Sequence, residues 1–151
     1  MKHPCRFLFS LTLLMTLYAF AAPAQAPVGS DSSLRETLTR AVQYWQGGKA
    51  KDAFLSLDSI TSAGLNEANA VTKIKAALWT ATYLQEQKKI KPASRFLDSA
   101  LTWSERYHAS DELIRSYEAY AAWHLNAGNP KTAMVAREAA WKLKDSLSNA
   151  A

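Results

Sequence analysis

The stretch Gln46–Ile60, QGGKAKDAFLSLDSI, places a Gly-Gly-Lys sequence directly before apolar residues at helical spacing. A phosphate-binding loop requires Gly-x-x-x-x-Gly-Lys-[Ser/Thr] following a strand. Here Gln43 stands at the first glycine position, Ala50 follows Lys49, and no period-two pattern precedes them. The stretch instead reads as a turn between two helices. Leu34, Leu38, Ala41, Val42 and Trp45 recur at spacings of three and four before it. Ala53, Leu57 and Ile60 share one helical face after it. Ser33 with Glu36 predicts a capping box at the start of the first helix, and Ser62-Ala63-Gly64 predicts the end of the second.

The same pattern returns at an offset of 40. Gly48–Ala53 aligns with Lys88–Ala93 and with Gly128–Ala133. Ala41, Ala81 and Ala121 then fall in one column, as do Leu34, Ile74 and Ile114, and Ile60, Ala100 and Ala140. Lys51, Lys91 and Lys131 match. Arg35, Lys75 and Arg115 agree in charge, and so do Asp58, Asp98 and Glu138. Self-similarity at a fixed period is the mark of stacked repeats. Asn129-Pro130 predicts a helix start in the third copy, with Asn at the N-cap and Pro at the first helical position. No segment alternates with period two, so the expected class is all-α.

At these residues the chain resembles the tetratricopeptide repeat (TPR) family. The likeness rests on the small residues Ala41, Ala81 and Ala121, on the glycine turn seven residues later (Gly48, Gly128), and on the alanines Ala53, Ala93 and Ala133 beyond it. It covers 33–148, divided at about 33–66, 67–108 and 110–148. The usual period is about 34 residues; the extra residues are expected near Ala63–Ala70 and Tyr107–Asp111. The resemblance implies a right-handed α-solenoid of three helix-turn-helix repeats, six helices in all. It also implies a binding module whose concave face, lined by the first helix of each repeat, engages a peptide or partner helix. The residues facing that groove would be Arg35, Trp45, Lys75, Trp79, Thr82, Gln85 and Arg115. This mixture of cations and aromatic surface suits a protein or peptide partner with an acidic or C-terminal carboxylate group.

The N-terminus points to export. Lys2 and Arg6 precede the mostly apolar run Phe7–Leu17, and small residues follow. This is the three-part pattern of a signal peptide over 1–24, with a linker over 25–32. The run is shorter than the ~20 apolar residues of a spanning helix. No transmembrane anchor is therefore expected after cleavage, and the destination is the periplasm of a bacterium or the medium. Ala-x-Ala sites end at Ala21, Ala24 and Ala26; cleavage after Ala24 avoids leaving Pro27 next to the cut. Cys5 is the only cysteine. It lies ahead of the apolar run, and its loss would leave no thiol for a disulfide, a zinc site or a nucleophile.

Loss of Lys2 and Arg6 leaves 16 basic against 13 acidic residues, a net charge of +3. That mild excess does not by itself make a nucleic-acid binder. Lys88-Lys89-Ile90-Lys91 with Arg95 is the densest basic run, and it would complement a helix end. The remaining histidines, His108 and His124, are too few for a metal site. No Ser, His and Asp arrangement suggests a nucleophile, so neither cofactor nor catalysis is expected. Five tryptophans (Trp45, Trp79, Trp103, Trp123, Trp141) would serve as core fillers or interface anchors.

In copy three, Leu38 and Leu78 become Glu118, and Leu57 and Leu97 become Arg137. These residues would form an ion pair between the two helices of the last unit, or mark the open end of the stack. His124, at the position of Tyr44 and Leu84, favours the open end.

N-terminal sequencing of protein from the periplasmic or culture fraction should begin at Gln25. Cytoplasmic material that retains Met1 would overturn the export reading.

Overall fold

The structure, a computed structural model, describes residues 31–150. The apolar N-terminal run, the cleavage sites and Cys5 lie outside the described residues. Six α-helices follow one another: α1 (Asp31–Gln46), α2 (Ala50–Ser62), α3 (Ala70–Glu86), α4 (Ile90–Arg106), α5 (Ser110–Asn126) and α6 (Pro130–Asn149). Among the described residues there is no strand, and no helix is long and apolar enough to cross a membrane.

Helices α2 to α6 begin at 50, 70, 90, 110 and 130, a spacing of 20 residues. The period of 40 read from sequence is thus two helical steps of equal length. One turn repeats at four of the junctions. Gly48, Lys88, His108 and Gly128 all take positive φ, between 52° and 77°. At each, the next residue's N–H reaches back five positions: Lys49 to Tyr44 O, Lys89 to Leu84 O, Ala109 to Ser104 O and Asn129 to His124 O, all at 2.8–3.0 Å. This is the Schellman pattern, which satisfies the last carbonyls of a helix. The residue that ends one helix then starts the next: Lys49 O, Lys89 O, Ala109 O and Asn129 O each accept an N–H four residues on.

The fifth junction differs. Ala63 is extended (φ −61°, ψ 156°), and Gly64 does not take positive φ, so the expected glycine C-cap is absent. Instead, Asn66 and Asn69 bond each other's backbone N–H at 2.9 and 3.0 Å around a short 3-10 turn, Glu67–Asn69. The buried Asn69 amide also donates to Gly64 O at 2.8 Å. The link at 107–109 is only three residues long. Two 17-residue helices and two such turns fill the second 40-residue unit, so its extra length lies largely within the helices.

Two further expectations are corrected. Helix α1 already includes Asp31 and Ser32, so Ser33 is helical and is not an N-cap. Pro130 does occupy the first turn of α6, but the Asn129 side chain makes no capping bond.

Each helix packs on the next, α1 also touches α3, and α3 touches α5. Among the described residues, α2, α4 and α6 do not touch one another. The odd helices therefore form a contiguous series, and the even helices are separated from one another. Buried alanines sit on both sides of each within-unit turn: Ala41 with Ala53, Ala81 with Ala93, and Ala121 with Ala133. Larger side chains fill the core both between the first two units and within the second. Leu34, Leu57, Ile60 and Ala76 cluster beneath Trp79. Ile74, Ala77 and Ala100 cluster with Phe96 and Trp103. The third cluster is small: Ala121, Ala133 and Ala136 under Tyr117 and Tyr120.

Glu118 and Arg137 are both exposed. Among the described residues no ion pair joins them. They mark the uncovered end of the helix array. His124 is not part of that exposed end. Its ring packs edge-on against Tyr120 and Trp123 at 4.5 and 4.6 Å, with both nitrogens buried.

An added Cβ at Gly48 would meet nothing within 4 Å, so substitution there acts through backbone strain alone. Gly48→Ala should lower the unfolding free energy by about 1–2 kcal/mol, and Lys88→Gly should raise it by up to about 1 kcal/mol, both read from urea melts. Equal and negligible shifts would show that the turns do not hold these φ values.

Candidate partner-binding face

The odd helices carry the cation column. Arg35, Lys75 and Arg115 project from α1, α3 and α5, and Arg35 and Arg115 are well exposed. None is a free charge. Arg35 is 2.5 Å from Asp31, and the other oxygen of Asp31 accepts a bond from Thr72 of α3 at 2.9 Å. Lys75 and Arg115 share one oxygen of Glu112, at 3.5 and 3.9 Å. Glu112 is only 8% exposed. Two carboxylates thus bind the three odd helices together and fix the positions of three cations. Each guanidinium has five donors, so Arg35 and Arg115 keep several directed to solvent.

Between α1 and α3 the surface dips into an open depression of about 380 Å³, lined by Arg35, Leu38, Thr39, Val71, Thr72 and Lys75. Val71 is 40% exposed there. Arg115 lies at a second depression, about 410 Å³, with Asp111, Ile114, Glu118, Lys144 and Leu147. Both join exposed cations to apolar side chains. Neither gathers three metal-ligating residues; among the described residues no such group occurs.

Trp45 and Trp79 sit further along the same two helices, with rings 5.5 Å apart and tilted by 57°. Trp45 also meets Tyr83 edge-on at 6.0 Å, and Tyr83 stacks on Phe54 at 4.7 Å. These rings are half-buried, so they support the α1–α3 contact and still present an edge to solvent. Thr82 is exposed, with its hydroxyl bonded to Leu78 O at 3.1 Å. Gln85 is half-buried. The structure thus gathers Arg35 with Lys75, and Trp45 with Trp79, and sets Arg115 at the neighbouring depression. Trp141, by contrast, stands 64% exposed on α6.

Three residues important to this face had no sequence signal: Asp31, Glu112 and Val71. A fourth, Lys73, is a buried cation below it. Lys73 is 2% exposed, donates to Ala63 O at the end of α2, and lies 5.2 Å from the centre of the Trp103 ring. A cation at a helix C-terminus is favourable, and here it holds the irregular link to α3.

Comparison with protein-family models, with characterised proteins and with solved structures gives no match. The arrangement itself is therefore the basis for a functional reading.

Burial holds the Lys73 ammonium below its ordinary value of 10.5. The folded chain releases that proton at lower pH than the unfolded chain. The contribution to stability is level below the folded value, rises with pH from there to about 10.5, and then levels again. Over that window the wild type should gain stability relative to Lys73→Met in denaturant melts. The raised values of Tyr117 and Tyr120 act equally in both proteins and cancel. A constant difference between the two would contradict a desolvated Lys73.

Proposed function

We propose that this chain is an exported protein-interaction module, a TPR-like right-handed α-solenoid. Its odd-helix face would bind an acidic segment or a C-terminal carboxylate of a protein partner. The observation carrying this reading is the alignment of Arg35, Lys75 and Arg115 by Asp31 and Glu112 beside a depression floored by Leu38 and Val71. Ordering long cationic side chains is part of the entropic cost of binding. Side chains already tethered by carboxylates lose less freedom when a ligand arrives. The apolar floor then receives a neighbouring aliphatic side chain, and the edges of Trp45 and Trp79 extend the surface along the same helices.

The contacts among α1, α3 and α5, with none among α2, α4 and α6, are consistent with a curve whose inner side is formed by the odd helices. A concave face of this kind is how stacked helical repeats present extended binding surfaces.

A second reading draws on the α3–α4 turn. Lys88, Lys89, Lys91 and Arg95 are all exposed, and none belongs to an ion pair among the described residues. Such a cluster would bind anionic envelope material or nucleic acid. Binding to phosphates weakens steeply as salt rises, whereas seating of an apolar anchor does not.

The test is a pull-down from the envelope fraction, followed by titration of the captured protein. Changing Arg35, Lys75 and Arg115 together to Ala should weaken binding at least tenfold, on the order of 1.4 kcal/mol, and leave the helical circular dichroism intact. Glu112→Gln removes the tether of Lys75 and Arg115 and should weaken binding by a smaller factor than the triple change, through the greater cost of ordering the two side chains. Unchanged affinity in the triple variant would make the cations an ordinary solvated face.

A further inference from the structure

The two ends of the helix array are complementary in charge, and the complementarity follows the repeat register. Three units of 40 residues span 120 positions. A second copy placed at the uncovered end, continuing the stack, would set its α1 where a seventh helix belongs. Residue n of that copy takes position n + 120. The contacts it would make can be taken from the two internal junctions.

At the first junction, Ala76 of α3 packs in one cluster with Leu57 of α2. At the second, the hydroxyls of Ser116 of α5 and Ser104 of α4 meet at 3.3 Å. Carried forward to the uncovered end, both contacts bring the same residue of the second copy, Glu36, against the last pair of helices. The Leu57 position is there Arg137, and the Ser104 position is Lys144. A small or neutral pair at each internal junction is replaced by a carboxylate facing two cations. Tyr120 of α5 feels the charge of Asp98 of α4. One repeat further, the corresponding residues are Arg40 of the second copy and Glu138, again opposite in sign.

All of these groups are exposed. Glu36 and Arg40 lie on the outer side of α1, 3.7 Å from each other. Arg137 and Lys144 line a depression of about 400 Å³ with Glu118, Ala140 and Trp141. A polar end is expected of any terminal repeat and by itself signifies only solvation. Opposite charges facing both Glu36 and Arg40 are what a solvated end would not require. Trp141 supplies an apolar surface beside them.

We infer that this protein associates head-to-tail with copies of itself, α1 of one copy docking across α5 and α6 of the next, with Glu36 held between Arg137 and Lys144. The interface is heterologous. It propagates into a filament unless the rotation closes a ring. It is centred on Glu36, Arg137 and Lys144, none of which belongs to the cation column, so it stands whether or not the odd-helix face binds a partner.

The test is a charge exchange followed by sedimentation velocity on the purified protein over a range of concentrations. The wild type should self-associate, less so at high salt. Glu36→Lys should weaken association at least about tenfold, and so should Arg137→Glu with Lys144→Glu, because like charges then face each other. Mixing the two variants in equal amounts should restore association, since each then offers the end that the other needs. Circular dichroism confirms that both variants are folded. A wild type that stays monomeric at every concentration, or a mixture that fails to associate, would overturn the inference. An association untouched by either variant would place the contact elsewhere and overturn it too.

Discussion

The close approach of neighbouring helices through alanine is the constraint from which the other features follow. Ala41 and Ala53, Ala81 and Ala93, and Ala121 and Ala133 flank the three within-unit turns, and all six are buried. A side chain limited to one methyl group lets two helix backbones come near each other. Interiors are packed to crystal-like density, so larger groups in these columns would force the pair apart. Larger residues fill the rest of the core, where Leu57, Ile60, Ile74 and Leu97 are fully buried. The apolar content falls along the chain. The last pair has no helix beyond it, and its cluster contains only alanines and two half-buried tyrosines.

The two candidate surfaces are consequences of that packing. Keeping α1, α3 and α5 in mutual contact brings Asp31 beside Thr72, and Glu112 beside Lys75. Each carboxylate bridges adjacent odd helices while it fixes a cation that points outward. The carboxylates are largely buried while the cations keep contact with solvent, so these bonds hold the cations in position. The end faces arise because the repeat stops. Positions that are leucine inside the array become Glu118 and Arg137 where no further helix covers them. The charges of Arg137 and Glu138 there are opposite to those of the exposed Glu36 and Arg40 on α1.

Much of this was legible in the sequence. The all-helical class, the within-unit turns and the alanine columns follow from the 40-residue offset, because identical side chains recur where packing demands them. The underlying step of 20 was hidden. Odd and even helices face different surroundings and share no side-chain column, although their backbones repeat. The turns at Lys88 and His108 carried no glycine to betray a left-handed residue. The face was legible as a column of cations but not as a set of bridges. Glu112 is 37 positions from Lys75, and nothing local to either announces the other. Lys73 looked like one more solvated cation until the link at 63–69 folded over it. Four of the tryptophans proved half-buried and only Trp141 exposed, a division that depends on which units have neighbours.

The alanine contact is tested most directly by enlarging it. Ala81 lies fully buried on α3, while Ala122 is exposed on α5. Leucine is a good helix former at either site, so intrinsic propensity does not separate the two substitutions. Denaturant melts of Ala81→Leu and Ala122→Leu should therefore diverge. The first should lose about 1–3 kcal/mol to overpacking, and the second should stay within about 0.5 kcal/mol of the wild type. If Ala81→Leu proves as stable as Ala122→Leu, the helices are not held at alanine distance and the account of the fold fails.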